Sequence, residues 1–315
     1  MIVTFTANPS LDRAVDLGDA LQVGEVQVAR SVREDAGGKG INVTRVIHSA
    51  GRDSIAVLPL DADDPFAGAL RAAHVPAMAV PLAGNARANL TLTDGAGVTT
   101  KINLPGVERT AADGAALIEA VVSASAGADW LVLAGSLPPG LPDDFYVAII
   151  EAVRAASSPP PRIAVDTSGP ALSAVVERGA PDLIKPNEDE LAELAGVALD
   201  PHLPLPEAVA AIAAGLVPSR VRAAFVTLGA AGAVLVTPHG SWRGTPPPTR
   251  VRSTVGAGDS SLAGFLLAET AGADPAECVR TGIRYGSAAA SLPGTQAPAP
   301  ADLPTGDVPV RTLTP

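Results

Sequence analysis

The sequence predicts an α/β fold: a mainly parallel sheet covered by helices on both faces, with a small second β-sheet projecting from it. Three observations predict it. Short apolar, β-rich segments recur along the 315 residues, separated by stretches of helical periodicity. Two stretches break that rhythm with alternating apolar and polar residues. The composition, 47% hydrophobic against 17% charged, supplies a large core and excludes a disordered chain.

In order, Ile2–Ala7 is apolar and β-rich, a buried strand. Ala14–Arg33 sets Val15, Leu17, Val23, Val26 and Val28 among polar residues and Gly24, so it reads as half-buried antiparallel structure with a strand over Val26–Arg33. Lys39–Ser49 has helical spacing, Ser54–Leu58 is a strand, and Pro65–Ala73 is a helix. Arg87–Leu104 is a hairpin, two alternating runs around Asp94-Gly95. Helix Ala111–Ser125 leads to strand Trp130–Ala134, helix Asp143–Ala155 to strand Arg162–Val165. Strand Asp182–Ile184 precedes helices Glu188–Ala195 and Glu207–Leu216. Ala223–Leu228 and Ala233–Thr237 are strands joined by a glycine turn, and helices Asp259–Thr270 and Pro275–Ser291 close the pattern. Proline-rich Ser157–Pro161 and Pro246–Pro248 are loops, and Gln296–Pro315 is a loosely held tail. Ligands of such a fold bind beyond the carboxyl ends of the strands.

Composition also excludes function classes. A formal net charge of −11 repels phosphate backbones, so nucleic acid is not expected as a partner. Met1–Asn8 has neither a basic start nor a cleavage pattern, and no run is apolar enough for a membrane span. The single cysteine, Cys278, permits neither an internal disulfide nor a cysteine zinc site, which suits the reducing cytoplasm. His48, His74, His202 and His239 have no metal-ligand partner at helical spacing. Arginines number nineteen and lysines three: Lys39, Lys101 and Lys185. A compact ammonium differs from a planar guanidinium where the fit around a phosphate is tight.

The strongest chemical signal is Ser253-Thr-Val-Gly-Ala-Gly-Asp-Ser260. Gly256, Ala257 and Gly258 form a small-residue turn before a helix, whose free N–H groups and dipole suit an anion. Asp259 would repel that anion, which points to a proton acceptor; the structural alternative is an N-cap. Asp35-Ala-Gly-Gly-Lys-Gly-Ile-Asn42 opens another helix, with Lys39 able to reach an anion and Asn42 a turn further on. It is not a P-loop, because Gly40 follows Lys39, and a dinucleotide fingerprint is likewise unsupported, because Gly256 and Gly258 are followed by Ser261 and not by glycine. In Lys185-Pro-Asn-Glu-Asp-Glu190, Asn187 and Glu190 make a capping box, or alternatively face a hydrated Mg²⁺ and phosphates. Thr227-Leu-Gly-Ala-Ala-Gly232 is a glycine turn able to lie against a nucleotide.

Ala36-Gly-Gly-Lys-Gly-Ile-Asn-Val43 and Thr254-Val-Gly-Ala-Gly-Asp-Ser260 resemble the two signatures of the PfkB, ribokinase-like sugar kinases. Asn8-Pro-Ser-Leu-Asp12, Ala134-Gly-Ser-Leu-Pro-Pro-Gly140, Lys185-Pro-Asn-Glu188 and Thr227–Gly232 match in the same order, so the likeness runs from Ile2 to about Leu292. It is greatest to the phosphofructokinase/tagatose-6-phosphate kinase branch. The resemblance implies a doubly wound α/β core over 1–13, 34–86 and 105–315, with a β-lid over 14–33 and 87–104. It implies ATP-dependent phosphoryl transfer with Mg²⁺ to a phosphorylated ketohexose, foremost fructose 1-phosphate. Tagatose 6-phosphate and fructose 6-phosphate are the alternatives, as is a non-catalytic sugar-phosphate sensor.

By the same resemblance Asp259 is the base, and the amides of Gly256, Ala257 and Gly258 are the anion hole. Asp12, Gly38, Asn42 and Asn89 bind the sugar; Lys39 and Arg87 hold its phosphate. Lys185, Asn187, Thr227, Gly229, Ala230, Gly232 and Gly258 form the ATP site, and Glu190 serves the metal through water. The branch often carries a lysine where this chain has Thr91, and Lys101 on the paired strand is the candidate replacement. A lid with one uncovered apolar face implies a homodimer through the lid.

Overall fold

A computed structural model of the chain describes residues 1–313. Strand β1 (Ile2–Phe5) is followed by β2 (Ser10–Asp16) and β3 (Ser31–Gly37), then helix α1 (Lys39–Ser49), β4 (Ser54–Pro59), α2 (Phe66–Ala72) and β5 (Ala77–Val80). The hairpin β6 (Arg87–Thr93) and β7 (Thr99–Asn103) leads to α3 (Ala111–Ala124), β8 (Trp130–Ala134), α4 (Phe145–Ala156) and β9 (Arg162–Asp166). Next come α5 (Gly169–Ala174), β10 (Leu183–Ile184), α6 (Glu188–Ala195), α7 (Leu205–Ala214), β11 (Ala224–Thr227), β12 (Ala233–Thr237) and β13 (Gly240–Gly244). Helices α8 (Ala257–Thr270) and α9 (Pro275–Ser291) precede the last strand, β14 (Val310–Leu313).

Ten strands form one sheet in the order β14-β13-β12-β11-β10-β9-β8-β1-β4-β5. From β5 to β11 the pairs are parallel; β11 to β14 pair antiparallel. Parallel strands buried on both sides are apolar on both sides. In β8, Leu131 and Leu133 enter the core beneath α3, α4, α6 and α7, while Trp130 and Val132 enter the core beneath α1, α8 and α9. The chain leaves β1 first toward β4 and later returns on its other side as β8, so the order reverses there. That switch point opens a crevice at the carboxyl ends of the strands.

The second sheet has the order β3-β2-β6-β7. Its strands differ from the sequence reading in extent. Pairing begins at Ser10 and runs to Gly37, whereas residues 17–30 are irregular, so no strand covers Val26–Arg30. The tail reading is corrected among the described residues. Arg311 pairs with Arg243, Val308 is fully buried, and the segment supplies an edge strand to the large sheet. Residues 314 and 315 of that reading lie outside the described residues.

Candidate active site

Helix α8 begins at a residue in left-handed conformation, Gly256, with φ 76°. A side chain is strained there, and glycine takes it freely. The Ser260 amide returns to the Gly256 carbonyl at 2.9 Å and Ala257 N leans on the Thr254 carbonyl at 3.4 Å. The first-turn amides at Gly258 and Asp259 have no carbonyl behind them in the helix. Asp259 is buried, and Asn42 Nδ2 of α1 donates to its Oδ2 at 2.8 Å. Asn42 Oδ1 is buried without a donor, an acceptor left for a ligand hydroxyl. Burial pushes the Asp259 carboxyl above its ordinary range and Asp166 adds to this, while Lys39, Asn42 and Lys185 oppose.

Sequence reasoning missed Asp166. It closes β9, is fully buried, and its Oδ1 accepts from Lys39 Nζ at 2.6 Å while Lys185 Nζ stands 3.1 Å from Oδ2. Burial favours its neutral form, but the two ammonium groups prevail and hold its carboxyl below the usual range. The available signal was an Asp at the carboxyl end of a central strand, in Val165-Asp-Thr-Ser-Gly169. Burial likewise opposes the Lys39 charge, and the Asp166 and Asp259 carboxylates more than offset it. Lys185 therefore sits under α8 against Asp166, outside the lining of the large cleft.

The small sheet approaches this region through β2 and β3, which ends at Gly37 just before Lys39. Asp12 Oδ1 accepts from Ser10 Oγ at 2.7 Å and from Asn89 Nδ2 at 2.9 Å, because Asp12 and Asn89 are opposite in register. Burial raises the Asp12 carboxyl. Gly37 stands on its other side, where any Cβ would overlap the carboxylate. Gly38 caps α1, its carbonyl accepting from Asn42 N at 2.9 Å. Arg87 Nε donates to the Asn8 carbonyl at 3.4 Å and Nη1 to that of Leu104 at 3.0 Å, which leaves Nη2 without a partner among the described residues. Lys101 is exposed and faces Thr91 directly across β6 and β7.

A cleft of about 750 Å³ lies on the far side of α8. Thr227, Gly229, Ala230, Gly232, Asn187 and Gly258, all read from sequence as parts of an ATP site, line it, and Pro246–Thr249 with Gly286, Ser287 and Ala290 supply walls that sequence reasoning did not identify. Asn187 and Glu190 form the expected capping box, with bonds of 2.8 and 2.9 Å. Glu190 Oε1 accepts no hydrogen bond among the described residues. No three His, Cys, Asp or Glu side chains converge as a metal cage among those residues. That donor set fits a hydrated Mg²⁺ shared with substrate phosphates, which needs one or two carboxylates.

The pfkB family carbohydrate kinase model matches residues 6–302. The 1-phosphofructokinase of Rhodobacter capsulatus is 34% identical, over 100% of this chain and 98% of its own. The ATP-dependent 6-phosphofructokinase isozyme 2 of Mycobacterium tuberculosis (strain H37Rv) is 32% identical over 94% and 86%. Phosphofructokinase-2 of Escherichia coli, solved in complex with substrates and products, superposes with a TM-score of 0.87 at 32% identity over 96% of both chains. Its tetrameric inhibited form gives 0.84 at 32% identity, over 93% and 95%.

Proposed function

The chain belongs to the pfkB family of carbohydrate kinases and is a sugar-phosphate kinase, and from that premise we propose that it transfers the γ-phosphoryl group of ATP to fructose 1-phosphate. The observation that carries the mechanism is the place of Asp259, buried between an unfilled helix N-terminus and the Asn42 amide. The acceptor hydroxyl gives its proton to the open Oδ1 of Asp259 as its oxygen attacks phosphorus. The bridging P–O bond breaks, and ADP leaves with the electron pair. The open first-turn amides at Gly258 and Asp259 face the charge on the transferring group, which is where phosphoryl-transfer catalysis acts. ATP lies in the cleft along Thr227–Gly232. Glu190 and Asn187 would hold Mg²⁺, which supplies charge neutralisation at the phosphates.

Asp12, Asn89 and Asn42 orient the sugar, and Arg87 presents Nη2 to the sugar's own phosphate, with Lys101 next along the lid. The choice of fructose 1-phosphate rests on the end-to-end likeness to the Rhodobacter enzyme. Phosphorylation of fructose 6-phosphate is the second reading, favoured by the likeness to the mycobacterial isozyme. The lid joins two copies in a dimer. No helix is long and apolar enough to cross a membrane among the described residues. The one thiol, Cys278, is buried and pushed up to about 11, first by that burial, so it is no nucleophile and suits a reducing cytoplasm.

A coupled assay of ADP release over fructose 1-phosphate, fructose 6-phosphate, tagatose 6-phosphate and free fructose tests the assignment. Fructose 1-phosphate should give the highest kcat/KM. A higher value for fructose 6-phosphate would replace it, and parity of free fructose would remove the phosphate clamp.

A further inference from the structure

Asp166 binds two cations with two different oxygens. Lys39 arrives from the start of α1 and Lys185 from the end of β10. Lys185 Nζ lies beneath the first turn of α8: a Cβ built on Gly258 would stand 3.3 Å from it. Lys39 shares its helix with Asn42, which one turn later holds Asp259. Both ammonium groups are thereby gathered beneath the first turn of α8 and beside Asp259, Lys185 buried and Lys39 partly exposed. Two like charges this close repel, and a fully buried carboxylate alone is costly, so each side of the cluster depends on the other. With Asp259 the cluster holds two cations and two carboxylates.

We propose that Asp166 is the positioning residue of phosphoryl transfer, holding the partly exposed Lys39 ammonium toward the phosphoryl group in flight while the buried Lys185 ammonium anchors the carboxylate from behind. The inference rests on the reading of Asp259 as the base. It departs from the place that resemblance gives Lys39, at the sugar's own phosphate, because the ammonium is turned to Asp166 instead. As the new O–P bond forms and the bond to ADP breaks, charge spreads over the equatorial oxygens of the phosphoryl group. An ammonium already fixed by a buried carboxylate meets that charge without reorganising. Asp166 itself touches no reacting atom.

The test is steady-state kinetics on the full chain with Asp166→Asn, Lys39→Met and both together, using whichever hexose phosphate the substrate screen selects. A wrong choice of sugar therefore leaves the test intact. Each single change should lower kcat by about 10²–10³-fold, the usual cost of one transition-state donor. KM for the sugar phosphate should stay within about threefold, the mark of an interaction made only in the transition state. The double variant should be little worse than either single, since both remove one arrangement. The acid limb of kcat/KM in Asp166→Asn should move to lower pH. Asp259 faces Asp166, Lys39, Lys185 and Asn42, and losing Asp166 leaves only groups that favour its ionised form. Multiplying penalties, or a raised KM for the sugar phosphate with kcat intact, overturns the proposal. If Asp166→Asn fails to fold, Lys39→Met decides alone, because its side chain is 36% exposed and Asp166 keeps Lys185.

Discussion

Asp259 and Asp166 are two buried aspartates in one cluster, pushed in opposite directions. Asp166 has an ammonium on each oxygen and stays ionised. Asp259 has one amide and an acidic neighbour, so burial dominates. A pair of titratable groups pushed apart marks acid–base assignment. A general base works ionised, so with Asp259 in that proposed role its raised value means that activity falls as pH drops through it. The acid limb of kcat/KM should therefore lie above the ordinary 3.8 of an aspartate. A pH–rate profile with full activity down to that value contradicts the assignment. Asp259→Asn keeps the shape and the partner of Asn42 but cannot take the proton. It should lower kcat by about 10²–10⁴-fold, the range for a general base. Nucleotide affinity, read by fluorescence titration, should change little, because the helix amides remain.

At the scale of elements, α6 carries a capping box to which the proposed function adds a metal role. Glu190→Gln preserves the reciprocal cap, since Gln serves at that position as Glu does. The melting temperature should hardly move, while the Mg²⁺ concentration for half-maximal rate should rise; equal Mg²⁺ dependence in both proteins would take Glu190 out of the metal site. In the lid, Gly37→Ala drives a methyl into the Asp12 carboxylate across the β2–β3 pair. Losing a hydrogen bond to a charged group costs about 1.5–3 kcal/mol, so KM for the sugar phosphate should rise roughly 10–100-fold. The KM for ATP serves as the control. Both sites were legible in sequence because glycines before a helix and Asn-x-x-Glu are local patterns. Asp166 was not, since its partners lie 127 and 19 positions away in the chain, at Lys39 and Lys185. The edge strand β14 escaped for the same reason: its pairing with β13 is long-range, and its Pro- and Thr-rich surroundings carry no apolar alternation.

At the scale of the whole molecule, the most exposed valines of the described residues lie on the small sheet and the segment beside it. Between β2 and β3 the irregular segment 17–30 carries Val23, Val26 and Val28, which are 94%, 98% and 88% exposed. Val32, Val98 and Ile102 extend this apolar surface over the small sheet, whose other business is to hold Asp12, Asn89 and Arg87. Exposed apolar groups gathered in one place mark an interface, and the proposed two-fold pairing of lid on lid would cover them with the same patch from a second copy. The wild-type chain, 31.4 kDa, should therefore sediment at micromolar concentration as a species of twice that mass. Val26→Asp places a charge in the patch and should shift the chain to monomer without lowering its melting temperature, because Val26 touches no core in the single chain. The monomer should also lose affinity for the sugar phosphate more than for ATP, since the proposed sugar contacts are on the lid and the proposed nucleotide cleft lies across α8 from it. Sedimentation of the wild type as a fully active monomer would end the argument for the pairing, and leave these valines without a physical account.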